Sequence, residues 1–290
     1  MPGFFRALAT FWRAFFVSTS LCASSFAAPA STPAPLRQIG APDPAEGRAA
    51  LEQLRRQGIA GNYFLEFQLH LLPRRGDERV IPGKMWGAQN PQGPVSRVEL
   101  GSGADAVRLL IQNGPESAAW RSRANGEIEQ LGVGALFEPI TPGADLTAFD
   151  LQMPFIYWND FTYDGLTRFR GRPAHVLVLR PPAGFAANHP ALAGVRVHLD
   201  TQFNALVQAE LIGANGAILK TLSVVDLKKI GEQWIVKTID LRDETTRDKT
   251  RLAVTAAALG VEFSRTLFEP AQLADEIRPP ADAQLVRIEP

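Results

Sequence analysis

Ten residues in the first third of the chain, "YFLEFQLHLL", set Tyr63, Leu65, Phe67, Leu69 and Leu71 on one side and Glu66, Gln68 and His70 on the other. A period of two predicts a half-buried antiparallel strand. The segments "VSRVEL", "AVRLLIQ" and "AAWRSR" continue the pattern, separated by the turn sequences "NPQG", "NGPES" and "ANGE". The second half reads more clearly still, with strands in "AHVLVLR", "GVRVHLD", "ALVQAELI", "AILKTLSVVDL", "QWIVKTIDL" and "TRLAVTAA". Trp234 in the fifth of these reads as an interior strand residue. The turns "GANG" and "KIGE" make hairpins of the strands around them. Many strands in succession without alternating helices exclude a doubly wound α/β fold and predict a mainly β architecture, a curved antiparallel sheet or half-open barrel with a few covering helices.

Two stretches break the two-residue period. Residues 43–57 predict a helix, with Asp43 as cap, Pro44 in the first turn, Glu46 completing a capping box and Gly58 at the stop. Its apolar stripe of Ala50, Leu51 and Leu54 is narrow, as in a helix laid over another element. The second is "ADLTAFDLQMPFIYW", apolar on nearly every side, which predicts a helical core plug or a lid over an apolar cavity.

The first residues differ in kind. Arg6 and Arg13 precede the apolar run "AFFVSTSLCA" and the small residues "SSFAAPA", the order of a secretory signal peptide over residues 1–30, with a mature chain starting between Ala28 and Ser31. The run is too short to span a bilayer. Leu21 before Cys22 is not the small residue a lipoprotein signal needs, so the one cysteine leaves with the signal and the periplasmic protein has no disulfide. Residues 31–43 are rich in Pro and small side chains and read as a linker, leaving residues 44–290 as a single domain.

Charge then narrows the function. Thirty basic and thirty acidic residues cancel, so the basic footprint of a nucleic-acid binder is missing. Hydrolase, metalloprotease and phosphate-binding motifs are absent, which predicts no enzyme, no cofactor and no metal. His70, His175, His189 and His198 each lack a second ligand at metal spacing. "NDFTYDG" brings Asp160 near Asp164 but lacks the rest of a calcium loop and reads as a turn. Arg168, Arg170 and Arg172 alternate as on one strand face, a solvated face or a contact for lipid headgroups or partner carboxylates.

The stretch "FDLQMPFIYWNDFTYDGLTRFRGRPAHVLVLRPP", followed by "VRVHLDTQFNALVQAELIGANGAILKTLSVVDLKKIGEQWIVKTIDLRDETTRDKTRLAV", resembles the outer-membrane lipoprotein-sorting proteins of the LolA-like superfamily, in its larger branch. The resemblance covers residues 150–273 by layout and the first half by strand pattern. It implies a half-open barrel with a helical lid whose apolar interior shelters the acyl chains of lipids or lipoproteins, and an export partner in the inner or outer membrane. Such a carrier shields each methylene at about 0.8 kcal/mol and needs no covalent chemistry. The expected lining is Leu65, Phe67 and Leu69; Leu109 and Ile111; Leu177 and Leu179; Val195 and Val197, with Trp120, Phe149, Phe155 and Trp158 at the mouth. The competing readings are a periplasmic sensor or scaffold module on the same fold, and a secreted hydrolase whose carboxylates meet in space.

Overall fold

A computed structural model describes residues 41–103, 106–123 and 125–289. The expected signal peptide, Cys22 and nearly all of the expected linker lie outside the described residues. Helix α1 (Pro44–Arg56) leads into six strands, β1 (Tyr63–Leu72), β2 (Arg79–Asn90), β3 (Gly93–Leu100), β4 (Val107–Gln112), β5 (Ala118–Ser122) and β6 (Ile128–Gln130). After a crossover containing α2 (Ala148–Gln152) come β7 (Asp160–Phe169), β8 (Arg172–Arg180), α3 (Ala183–Asn188), β9 (Leu192–Asp200), β10 (Leu206–Gly213), β11 (Ile218–Ile230), β12 (Gln233–Asp243), β13 (Lys249–Leu259) and the short β14 (Val286–Arg287).

All strands join one antiparallel sheet in the order β6-β5-β4-β3-β2-β1-β13-β12-β11-β10-β9-β8-β7, with β14 beside β13. The sheet does not close. Its edges are β6 and β7, consecutive in sequence, so residues 131–159 must travel from one edge to the other. They do so across one face, here called the inner face. Thr147 starts α2 through a capping box with Asp150, and the helix ends at Met153, in the left-handed region at φ 45°, because Pro154 cannot extend it. A 3-10 turn, Pro154–Tyr157, completes the crossover. The expected single helical stretch is therefore two short pieces with a break.

Strand β2 escaped the periodicity because it holds Pro82, Gly83 and Gly87. The glycines are explained by β1. Gly83 pairs with Phe67 and Gly87 with Tyr63, and a Cβ at either position would lie 2.3 or 2.0 Å from those rings. Pro82 lies just past the last β2–β3 pair, Gly83 with Leu100, where the chain leaving β3 asks of it only its carbonyl, which accepts from Gly101 N at 2.8 Å. The "NDFTYDG" segment, expected as a turn, is instead the start of β7, bulged between Tyr163 and Gly165. At α1, Asp43 caps through Ala45 N at 2.8 Å, but the expected capping box does not form, because the Glu46 carboxylate turns toward His175, 3.7 Å away.

One large cluster fills the inner face, from Leu65, Phe67 and Leu69 on β1 through Leu109 and Ile111 to Leu177, Leu179, Val195 and Val197, together with the crossover and α1. The outer face divides. Over β1–β5 the chain after β13 lies against Phe64, Trp86, Ala88, Val95 and Leu110, contributing Leu267, Phe268 and Leu273. Arg97 on β3, wholly buried, fastens this strap by donating to the carbonyls of Gln272 (2.8 Å), Leu273 (3.1 Å) and Asp275. Over β9–β13 the outer face carries ion pairs instead, such as Arg251 with Asp240 at 2.6 Å and Arg196 with Glu210 at 2.9 Å.

Candidate functional site

The crossover gathers aromatic rings that sequence position keeps apart. Phe137 stacks on Phe149 with centroids 4.5 Å apart and on the His189 ring at 3.8 Å. Phe149 meets Phe155 at 5.9 Å and Trp158 at 6.4 Å. Phe185, carried on α3, closes over Trp158 at 5.3 Å. Edge-to-face and offset contacts of this kind favour a fixed cluster. Beside it is a cleft of about 400 Å3, lined by Pro154, Tyr157, Trp158 and Phe185 with Pro115 of the β4–β5 turn, and rimmed by Asp160 and Arg180. Those two form an ion pair at 3.2 Å. Apolar walls with a few polar groups at the rim suit an amphipathic guest, and the volume falls in the usual range of about 300–1,000 Å3 for ligand sites.

Four polar anchors hold the crossover against the inner face. Lys220 on β11 reaches the nearly inaccessible Asp150 carboxylate at 2.7 Å and the Asp145 carbonyl at 2.6 Å. Thr250 on β13 donates to the Asp145 carboxylate at 3.2 Å, and burial raises the pKa of that group. Arg55 at the end of α1 donates to the carbonyls of Ile156 (2.7 Å) and Trp158 (3.0 Å), so α1 and the 3-10 turn are fixed together. Gln152 donates to the Gln112 carbonyl of β4 at 3.4 Å. Under α1, the Tyr163 hydroxyl meets His175 Nδ1 at 2.8 Å, and burial pushes the tyrosine up to about 12 and the histidine down.

The expected strand lining, Leu65, Phe67, Leu69, Leu109, Ile111, Leu177, Leu179, Val195 and Val197, shares the inner cluster with Phe149, Phe155 and Trp158. They pack on one another: Phe149 is 0% exposed, Phe155 1% and Trp158 5%. The inner surface around these residues is thus occupied by the chain's own side chains, and the cleft touches the set only at Trp158. Trp120 is placed elsewhere. It pairs with Leu110 and packs on the outer face against the strap, because β5 sets Ala119 inward instead. Phe137 and Phe185 went unnoticed in sequence, and His189 was read only as a histidine without a second metal ligand. The one signal they offered was a lone aromatic in each of two loops.

The three arginines do not share a strand face. Arg168 is the last residue but one of β7, Arg170 and Gly171 form the hairpin turn with φ of 47° and 85°, and Arg172 opens β8 across from Phe169, so Arg168 and Arg172 project to opposite faces. Positive φ at both central positions is the hairpin turn whose twist matches the strands. Arg172 pairs with Asp200 at 2.8 Å. Trp234, expected inside, is 59% exposed. Among the described residues, no three His, Cys, Asp or Glu side chains are grouped to hold a metal, and no helix is long and apolar enough to cross a membrane.

A family model described as an uncharacterized protein matches residues 142–275. No curated protein matches the chain. Among solved structures, a domain from Vibrio parahaemolyticus described as outer membrane lipoprotein-sorting is 17% identical, covering 79% of this chain and 96% of its own, with a TM-score of 0.67. A DUF1329 family protein from Desulfovibrio piger is 16% identical over 81% of this chain and 100% of its own, also at 0.67. A LolA superfamily protein from Nitrosomonas europaea is 14% identical over 76% and 96%, at 0.58. The chain has the LolA-like fold.

Proposed function

We propose that the protein is a periplasmic carrier or binder of lipid or lipoprotein acyl chains, taken up at the cleft between the crossover, α3 and the β4–β5 turn. The observation that carries this reading is the cleft itself: an apolar hollow whose wall, Trp158 and Phe185, is also the outermost layer of the aromatic cluster. An acyl chain entering there would replace ring-to-ring contacts with ring-to-methylene contacts, so the crossover serves as a filler that cargo displaces. The fold shared with a lipoprotein-sorting domain supports the reading. A second reading, a scaffold or sensor module, is favoured by one observation: Phe149 and Phe155 already fill the inner face, and Lys220 and Arg55 pin the crossover there.

Displacement of a fluorescent fatty acid, measured beside thermal melts, separates the two. Trp158→Ala and Phe185→Ala should weaken probe retention at least tenfold, about 1.4 kcal/mol, with a smaller loss of stability than Leu177→Ala, a fully buried strand control. If the wild-type chain retains no acyl probe, the carrier reading fails and the scaffold reading stands.

A further inference from the structure

One end of the sheet carries the turns β7–β8, β9–β10 and β11–β12, since each joins an odd strand to the next in an antiparallel series. The third turn projects. Pairing of β11 with β10 ends at Ser223, and pairing of β12 with β13 begins only at Thr238, so the intervening hairpin stands out as a two-stranded ribbon. Ile230 and Ile235 bury its inner face in the main cluster, and the Gln233 side chain clasps Ala60 through both backbone groups, at 2.7 and 3.3 Å. Its register puts Leu227 across from Val236 and Lys229 across from Trp234. The ribbon is held from one side and shows water Val225 at 46%, Leu227 at 39% and Trp234 at 59% exposure.

The neighbouring turns complete the surface. Phe203, 48% exposed, tips the β9–β10 turn, and the Arg172 guanidinium lies 5.3 Å from its ring centre. Arg170 reaches across to the Val224 carbonyl at 3.1 Å, tying the first turn to the ribbon. Residues 168–172, 200–204 and 225–237 hold six basic side chains against three acidic ones, in a chain whose formal charge is zero. Each acid is already paired: Asp200 with Arg172, Asp226 with Lys237 and Glu232 with Lys229. The charge left over is positive, on Arg168, Arg170 and Lys228.

We infer that this end of the sheet docks on an anionic phospholipid surface, with Trp234 and Leu227 entering the interface and Arg168, Arg170 and Lys228 meeting headgroups. Tryptophan favours the headgroup level of a bilayer, aliphatic side chains gain by shallow burial, and nearby cations are attracted by anionic lipid. A rigid ribbon loses little freedom on docking. The inference is independent of whether the interior takes cargo.

Co-sedimentation of the full chain with vesicles of phosphatidylglycerol and phosphatidylethanolamine, against phosphatidylcholine alone, tests it. The wild-type chain should partition onto the anionic vesicles and be released by high salt. Trp234→Ala should lower partitioning about tenfold, and Arg168→Gln with Lys228→Gln about twenty-fivefold, each cation contributing about fivefold. Leu227→Asn with Val225→Asn gives a second variant should the ribbon loosen without its tryptophan. Melts unchanged beside lost partitioning establish a surface role. Equal binding to both vesicle types, binding by the variants at the wild-type level, or no vesicle binding at all, as for a surface that meets a protein, overturns the inference.

Discussion

Gly87 shows how one missing methyl group can decide where a strand lies. The Tyr63 ring occupies the space a Cβ would take, its Cζ lying 2.0 Å from that position. Gly87→Ala must push the ring aside in a packed interior and should cost about 1–3 kcal/mol, seen as a lower urea midpoint with an unchanged slope. Histidines make a second case. Burial lowers the pKa of His198, with the nearby Arg196 acting in the same direction and Glu210 opposing, and burial also lowers His175 and His189 below the ordinary 6.5. The unfolded chain then takes up protons first as pH falls through about 6.5, so stability should decline from there downward and level off below the folded-state values. Melts at pH 7.5 and 5 should differ in that direction, and His198→Gln should narrow the difference; a midpoint that rises on acidification contradicts it.

At the scale of elements, what the sequence discloses depends on whether a strand has one wet face. Strands β9 to β13 alternate visibly because their outer face is largely polar, and their positions follow from the period and the turns between them. Strand β2 does not, since the strap covers Trp86 on its outer face and its inner face has glycines making room for β1. The same cause hides the strap: "VEFSRTLFEPAQLADEI" has no period, and its partner Arg97 looks like any surface arginine in "VSRVEL". The aromatic plug was legible as a buried segment, whereas the sidedness of Trp120 was not, because a strand covered on both faces gives no sign of which is inner. For the crossover, the ion pair of Lys220 with Asp150 is the element to test. Lys220→Met leaves a buried carboxylate uncompensated and should destabilise by about 3–5 kcal/mol. Lys220→Met with Asp150→Asn keeps the cap at Thr147 and should recover a good part of that loss in urea titrations. No recovery would mean that the lysine stem, not the charge, does the holding.

The whole molecule depends on its strap, for without it the outer surface around Phe64, Trp86 and Leu110 is an apolar patch rather than a core. A chain ending at Gly260 should bind a hydrophobic dye and associate at concentrations where the full chain is monodisperse, as light scattering would record; a well-behaved truncated monomer would show the strap to be dispensable. The order of the sheet has one more consequence, for time. Its middle is made where the first strand meets the thirteenth, Tyr63 opposite Leu259, so the pairing that unites the two halves joins residues far apart in the chain. Loop closure over such a separation makes folding slow. Until β13 pairs with it, β1 is a free edge with an apolar side. The topology that gives this sheet its unclosed form therefore also gives the chain an interval in which its two halves are formed but not yet joined.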